Sequence, residues 1–184
     1  NGDFLSLAKL EGYLPTGMDV SRAGIERCRE RGLDASHGDF LRVGFSESFD
    51  FITLWDVLEH LPRPDWFIRR ACELLRPGGF LVIKTPYASR MAFELSRAVP
   101  RLAGLLLQFP AHVQFFDRRN LDQLLGQNGF DQRDWLRDRP MRSPPSKRSL
   151  KRLVGWMLIR WVNFGPGRNV YVMARKSGAS ATNS

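Results

Sequence analysis

Residues 49–64 read FDFITLWDVLEHLPRP and residues 74–86 read LLRPGGFLVIKTP. Phe49 to Trp55 is an apolar run of strand length rich in aromatic and branched residues, and Phe80 to Thr85 (FLVIKT) is a second. Between them Pro62 and Pro64 punctuate a loop, and Phe67, Ala71, Leu74 and Leu75 recur at helical spacing until Arg76-Pro77-Gly78-Gly79, which is expected to stop the helix. Near-continuous apolar strands alternating with helices indicate a mainly parallel sheet covered on both faces. The expected class is α/β, doubly wound.

Working outward, Phe4, Leu5, Ala8 and Leu10 before Gly12 predict a short N-terminal helix, and Tyr13 to Asp19 reads as a weak strand ending in an acid. Ser21 is a plausible N-cap for a helix with Ile25 and Cys28 on its inner face, stopped by Gly32. Leu33 to Asp39 predicts a further strand with little propensity behind it. Downstream, Asp117 can cap a helix carrying Leu121, Leu124 and Leu125 and ending at Asn128-Gly129. Phe130 to Leu136 and Val170 to Ala174 follow as strands, and Ser177 to Ser184 as a disordered tail. Residues 89–116, broken by Pro100 and Pro110, are read as an inserted cover over the substrate.

The chain has 184 residues, 43% hydrophobic and 26% charged, which fits one globular domain over residues 1–176 and excludes disordered or collagen-like classes. Cys28 and Cys72 have no CxxC spacing and no histidine partner, so neither a disulfide framework nor a metal site is expected, and a reducing cytoplasmic compartment fits. No signal peptide opens the chain, and no apolar run reaches the ~18 residues of a membrane span. The net charge is +9, and all of the excess lies beyond Phe130.

From Arg139 to Arg152 the chain carries six Lys or Arg, no acid and three prolines, a basic loop. The stretch KRSLKRLVGWMLIRWVNF (147–164) follows within an element spanning 139–165 and is more apolar than a solvated helix. It reads as a helix packed on the sheet or on a second subunit, or as a helix lying on an anionic membrane surface, peripheral at the inner face. Nucleic acid fits less well, because the aromatics sit in an apolar block rather than along a basic groove.

In an open parallel sheet ligands bind beyond the carboxyl ends of the strands, and acids recur there: Asp19, Asp39-Phe40 and Trp55-Asp56. At this point FDFITLWDVLEHLPRP and LLRPGGFLVIKTP, supported by HVQFFDRRNLDQLLGQNGF (112–130), resemble class I S-adenosylmethionine-dependent methyltransferases. The similarity is to the subgroup containing ubiquinone-type and cell-surface-sugar enzymes, and it covers residues 1 to about 176. It implies a Rossmann-like methyltransferase fold with a final antiparallel strand, Val170 to Ala174, inserted between the fifth strand and Phe130 to Leu136. A complete relative would begin with a strand and further glycines before Gly2. The expectation is therefore a sheet lacking its first, central strand, in a piece of a longer protein that alone binds cofactor poorly or folds incompletely.

By that resemblance S-adenosylmethionine is the cofactor, Gly2 the last glycine of the loop beneath its methionyl part, and Asp19 the acid that accepts from both ribose hydroxyls, flanked by Met18 or Val20. A carboxylate suits a vicinal diol, and an acid in this place suits a ribose on physical grounds as well. Asp39 would accept from the adenine amino group while Phe40 packs on the ring; alternatively Asp39 is a helix cap or turn residue and Phe40 is core. Trp55 would line the sulfonium, whose positive charge an aromatic face favours, or simply be a buried residue at the sheet's end.

Methyl transfer needs mainly alignment, and an oxygen acceptor also benefits from a base. His60 and His112 are the candidates, with structural histidines as the plain alternative, and Tyr87 is a further pocket residue. The implied reaction is O-methylation of a small molecule, a quinone precursor or a glycoconjugate. The alternatives are an NAD-dependent Rossmann oxidoreductase and a non-catalytic membrane- or partner-binding module.

Overall fold

A computed structural model of the chain describes residues 2–45, 48–86, 94, 97–102, 112–135 and 169–178. These fall into two compact units, one of residues 2–44 and one of residues 45–135 with 169–178. The basic loop and apolar helix of 139–165, Tyr87, most of the 89–116 cover and the tail beyond Gly178 lie outside the described residues.

In the first unit, helix α1 (Asp3–Leu10) leads to strand β1 (Gly17–Asp19), helix α2 (Arg22–Glu30) and strand β2 (Ala35–His37). Both strands are shorter than predicted; Leu14 lies fully in solvent, while Tyr13 packs beside Ala8 of α1. β1 and β2 pair in parallel, Gly17 opposite Ala35 and Asp19 opposite His37. Ser21 caps α2 as expected, its Oγ accepting from the Gly24 N–H at 3.2 Å. Ile25, Cys28, Leu33 and Ala35 form the small core, with Leu5 against it.

In the second unit, strand β3 (Phe49–Trp55) is followed by a 3-10 turn (Leu58–His60), helix α3 (Pro64–Leu74) and strand β4 (Leu75–Pro86). Helix α4 (Arg118–Gln127), strand β5 (Phe130–Trp135) and strand β6 (Asn169–Lys176) complete it. The strand order is β3-β4-β6-β5. β3 and β4 run parallel, and β6 is antiparallel to both β4 and β5. The inserted antiparallel strand expected from the resemblance is thus present. Leu81, Val82 and Ile83 are consecutive and all buried, which requires cover on both faces of β4 and accounts for its apolar sequence.

α3 ends at Leu74, just before Arg76-Pro77-Gly78-Gly79, as the sequence predicted. The strand already begins at Leu75, which pairs with Phe49 ahead of a register shift. Gly79 fits there because a Cβ would lie 2.9 Å from the Arg76 carbonyl oxygen and 3.1 Å from that of Asp50. The end of α3 is closed from β6: the Lys176 ammonium donates to the carbonyls of Cys72 at 2.6 Å and Leu75 at 2.7 Å. A cation at a helix C-terminus also suits the helix dipole.

α4 opens with a reciprocal capping box. The Asp117 carboxylate accepts from the Asn120 N–H, and the Asn120 side chain accepts from the Asp117 N–H, each at 2.8 Å. Asp117→Ala should lower the urea unfolding free energy by about 1 kcal/mol, whereas Asp117→Ser should retain most of it.

Candidate functional site

At the carboxyl end of the β1–β2 ladder, Asp19 is exposed, and its Oδ1 accepts from the Ser21 N–H at 2.7 Å. That bond holds the carboxylate at the mouth of the turn without burying it. The Asp19 carbonyl accepts from the Gly38 N–H at 3.2 Å, which ties the end of β1 to the loop carrying Asp39. Asp39 is itself a turn residue: its Oδ1 accepts from the Leu41 N–H at 3.0 Å and its Oδ2 lies 3.4 Å from the Arg42 guanidinium. Phe40 and Met18 are half-buried, and Val20 is exposed.

Gly2 precedes α1 with φ +76°, in the left-handed region that favours glycine. A Cβ there would come within 2.7 Å of Leu33 Cδ1 and 2.9 Å of Cys28 Sγ. Gly2 therefore lets α1 approach the core of its unit. Its carbonyl begins the helix by accepting from the Ser6 N–H at 2.9 Å.

The second unit presents a denser cluster after β3. Trp55 is half-buried, and its indole N–H donates to the Thr53 hydroxyl at 3.1 Å. Asp56 is the one non-glycine residue with positive φ, +50°, among the described residues, a strained conformation of the kind that gathers at ligand sites. It is held there by β4: its N–H donates to the Lys84 carbonyl at 3.0 Å, and its carboxylate pairs with the Lys84 ammonium.

Glu59 is 1% exposed. Its Oε2 accepts from the Thr85 hydroxyl at 3.0 Å, and its Oε1 is buried with no hydrogen-bond partner. Burial pushes the carboxyl above the ordinary carboxylate range, against the opposing pull of hydrogen bonds from the backbone and Thr85. Its backbone carbonyl accepts from the N–H groups of both Val113 and Gln114, at 2.8 and 3.0 Å. Those two bonds clamp the segment at 112–114 onto the 3-10 turn.

His112, buried, and His60, exposed, thereby meet with ring centroids 5.0 Å apart and ring planes at 65°. The two histidines singled out separately in the sequence form one pair. Glu59, Thr85 and Lys84 were not singled out, and Asp56 was named only as an acid following its strand. The available signal was the adjacency of Glu59 to His60 and the Lys-Thr pair closing β4, but only the register of β3 against β4, Trp55 opposite Lys84, brings them together.

A cleft of about 460 Å³ lies where the end of β5 meets the starts of β6 and α4, lined by Asp117, Arg118, Arg119, Trp135, Asn169, Val170 and Tyr171. The Arg118 guanidinium sits 5.4 Å from the centre of the Trp135 ring, and the Asn169 amide donates to the Tyr171 hydroxyl at 3.1 Å. This lining suits a ligand with a planar or anionic part.

Residues 1–134 match the family model described as a methyltransferase domain. A probable S-adenosylmethionine-dependent methyltransferase of Mycolicibacterium smegmatis is 28% identical over 123 residues, covering 65% of this chain and 44% of that protein. A ubiquinone biosynthesis O-methyltransferase of Xanthomonas oryzae pv. oryzae is 34% identical over 99 residues, covering 50% of this chain and 41% of that one. The chain thus spans less than half the length of these curated relatives. The crystal structure of a SAM-dependent methyltransferase from Archaeoglobus fulgidus superposes with a TM-score of 0.63 at 20% identity, over 95% of this chain and 81% of that one. That likeness supports the Rossmann-like fold.

Proposed function

Because the chain belongs to the class I S-adenosylmethionine-dependent methyltransferase family, we propose that it carries the cofactor-binding and acceptor-facing parts of an enzyme that methylates a small molecule on oxygen. The observation that carries this reading is the His60–His112 pair beside the carboxyl end of β3. Two imidazoles at the edge where an open α/β sheet binds ligands offer a base for a hydroxyl acceptor. The ubiquinone-type relative supports a quinone precursor as that acceptor, and a glycoconjugate is the alternative.

The residues of the first unit fit the cofactor. Asp19 keeps an exposed carboxylate for the ribose diol, and Phe40, half-buried beside Asp39, offers a wall for adenine. S-adenosylmethionine, when bound, supplies an activated methyl group on sulfur. What the chain adds is positioning and, at His60 or His112, an acceptor for the proton released by a hydroxyl as the oxygen–methyl bond forms.

Calorimetric titration of S-adenosylhomocysteine, with NADH as the control, tests the cofactor assignment. Binding of the homocysteine nucleoside alone supports it, and binding of NADH alone moves the reading to an oxidoreductase. Given an acceptor hydroxyl, loss of the base should lower kcat by about 10²- to 10⁴-fold in His60→Ala or His112→Ala. The unchanged rate of both variants would return the two histidines to a structural role. Release of tritiated methyl onto quinone precursors or glycoconjugates separates the acceptor classes. Membrane association through residues 147–164 remains part of the proposal, tested by co-sedimentation with anionic vesicles before and after deletion of that stretch; no helix of the described residues is long and apolar enough to cross a membrane.

A further inference from the structure

We propose that the cleft where the end of β5 meets the starts of β6 and α4 holds an oxyanion, a carboxylate or a phosphate, carried by the methyl acceptor. This assignment, which rests on the methyl-transfer reading, makes the acceptor an acid rather than a neutral alcohol. The cleft sets two guanidiniums, Arg118 and Arg119, against one carboxylate, Asp117. Its β6 wall, Asn169 to Tyr171, adds no acid.

Asp117 is committed elsewhere, since its Oδ1 accepts from the Asn120 N–H at 2.8 Å and closes the capping box. Among the described residues no carboxylate forms an ion pair with Arg118 or Arg119. Arg118 is seated on an aromatic ring instead, its guanidinium 5.4 Å from the centre of Trp135. Stacking uses the face of a guanidinium and leaves the N–H donors in its plane for a second partner. That fork matches a carboxylate or a phosphate in bidentate fashion. Trp135 is half-buried at the end of β5, so the stack sets the donors in place before an anion arrives, which lowers the cost of binding one.

The cleft also adjoins the histidine pair. Val170 of its wall lies opposite Thr85 in the β4–β6 register, and the Thr85 hydroxyl donates to Glu59. A single segment leads from His112 to Arg118, and it is pinned along its length. The Glu59 carbonyl accepts from Val113 and Gln114, the Phe115 carbonyl accepts from the Asn120 amide at 2.9 Å, and Phe116 is buried. Between His112 and Asp117 the chain can span at most about 17 Å. One acceptor of moderate size can therefore present its hydroxyl to the histidines while its acid lies on the arginines. Such an anchor aligns the hydroxyl, which is what methyl transfer chiefly needs. It also discriminates against neutral molecules of the same shape, which would leave the guanidiniums without a partner.

The test is calorimetric titration of the full chain, at fixed ionic strength, with two acids and their neutral counterparts: benzoate against benzamide, and glucosyl phosphate against glucose. At least one acid should bind about tenfold or more tightly than its counterpart, and which one does so separates an aryl acceptor from a glycoconjugate. Arg118→Gln and Arg119→Gln should each weaken that binding by about tenfold. Both positions are exposed, so the variants should fold, and circular dichroism checks it. Arg69→Gln removes the same charge from an exposed position on α3 and should leave the affinity unchanged. Neutral counterparts that bind as tightly as the acids would overturn the proposal, as would acid binding that both cleft variants retain or that Arg69→Gln weakens equally. S-adenosylhomocysteine titrated into the same samples keeps the two failures apart. Nucleoside binding without preference for the acids removes the oxyanion site alone, whereas preference for the acids without nucleoside binding keeps the site and removes its tie to methyl transfer.

Discussion

Asp19→Ala should weaken S-adenosylhomocysteine binding by about 30- to 150-fold, the equivalent of losing roughly 2–3 kcal/mol of charge-assisted hydrogen bonding to a ribose diol. The expectation rests on the exposed carboxylate at the end of β1, held by the Ser21 N–H at 2.7 Å. That bond makes the side chain ready for a ligand before one arrives, so little entropy opposes binding. It also creates an ambiguity, since alanine removes the local bond as well as the ribose contact. Asp19→Asn resolves it: the amide oxygen still accepts from Ser21, but the negative charge is gone and the second position has become a donor. If the contact is with the diol, Asn should bind nearly as poorly as Ala while unfolding at the wild-type temperature. Calorimetry that finds Asp19→Ala within twofold of the wild type would remove Asp19 from the cofactor site.

Much of this fold is legible in the sequence where burial is two-sided and local signals agree. β3 and β4 announce themselves because a parallel strand covered on both faces needs consecutive apolar residues, as at Leu81-Val82-Ile83. The start of α4 is legible because Asp117 and Asn120 stand at the spacing of a capping box. β2 is harder: Ala35-Ser36-His37 has little strand propensity and is extended because it pairs with β1, a tertiary fact. The end of α3 at Leu74 is legible, but what closes it is not. Pro77-Gly78-Gly79 signals a helix stop, yet the carbonyls at that end are satisfied by Lys176, about a hundred positions along the chain.

The candidate site divides along the same line. Residues near strand ends are legible because ligands gather at the carboxyl edge of each sheet, which is how Asp19 and Asp39 are found in the first unit and Trp55 and His60 in the second. The buried carboxylate of Glu59 is not, because its meaning depends on Thr85 and on the segment at 112–114. In the sequence it is one acid among nineteen, and most acids are solvated. The Asp56–Lys84 pair is hidden likewise, since it needs both the register of β4 and a positive φ at Asp56. Chemistry carried by single residues at strand ends is readable from pattern, whereas chemistry carried by pairs across strands requires coordinates.

Gly2→Ala should be among the most damaging single substitutions in the first unit, at a cost of roughly 2–4 kcal/mol. About 1–2 kcal/mol comes from placing a Cβ on a residue with φ +76°, and the rest from overpacking, because that Cβ would sit 2.7 Å from Leu33 and 2.9 Å from Cys28. Since the unit's core is small, Ile25, Cys28, Leu33 and Ala35 with Leu5 beside them, few other contacts can offset the loss. Hydrogen exchange of the α2 amides reads the local effect, which a global unfolding curve can miss. The two causes separate in a double-mutant cycle with Leu33→Ala: the smaller residue relieves the steric share, so the pair should cost less than the sum of the single substitutions, while the backbone strain persists. Strict additivity would mean that Gly2 does not pack on Leu33. The same variants divide the two roles assigned to this glycine. If Gly2 serves cofactor binding only by seating α1, Leu33→Ala in the Gly2→Ala background should recover S-adenosylhomocysteine affinity together with protection of the amides; if the glycine backbone itself lies against the methionyl group, protection should recover and affinity should not.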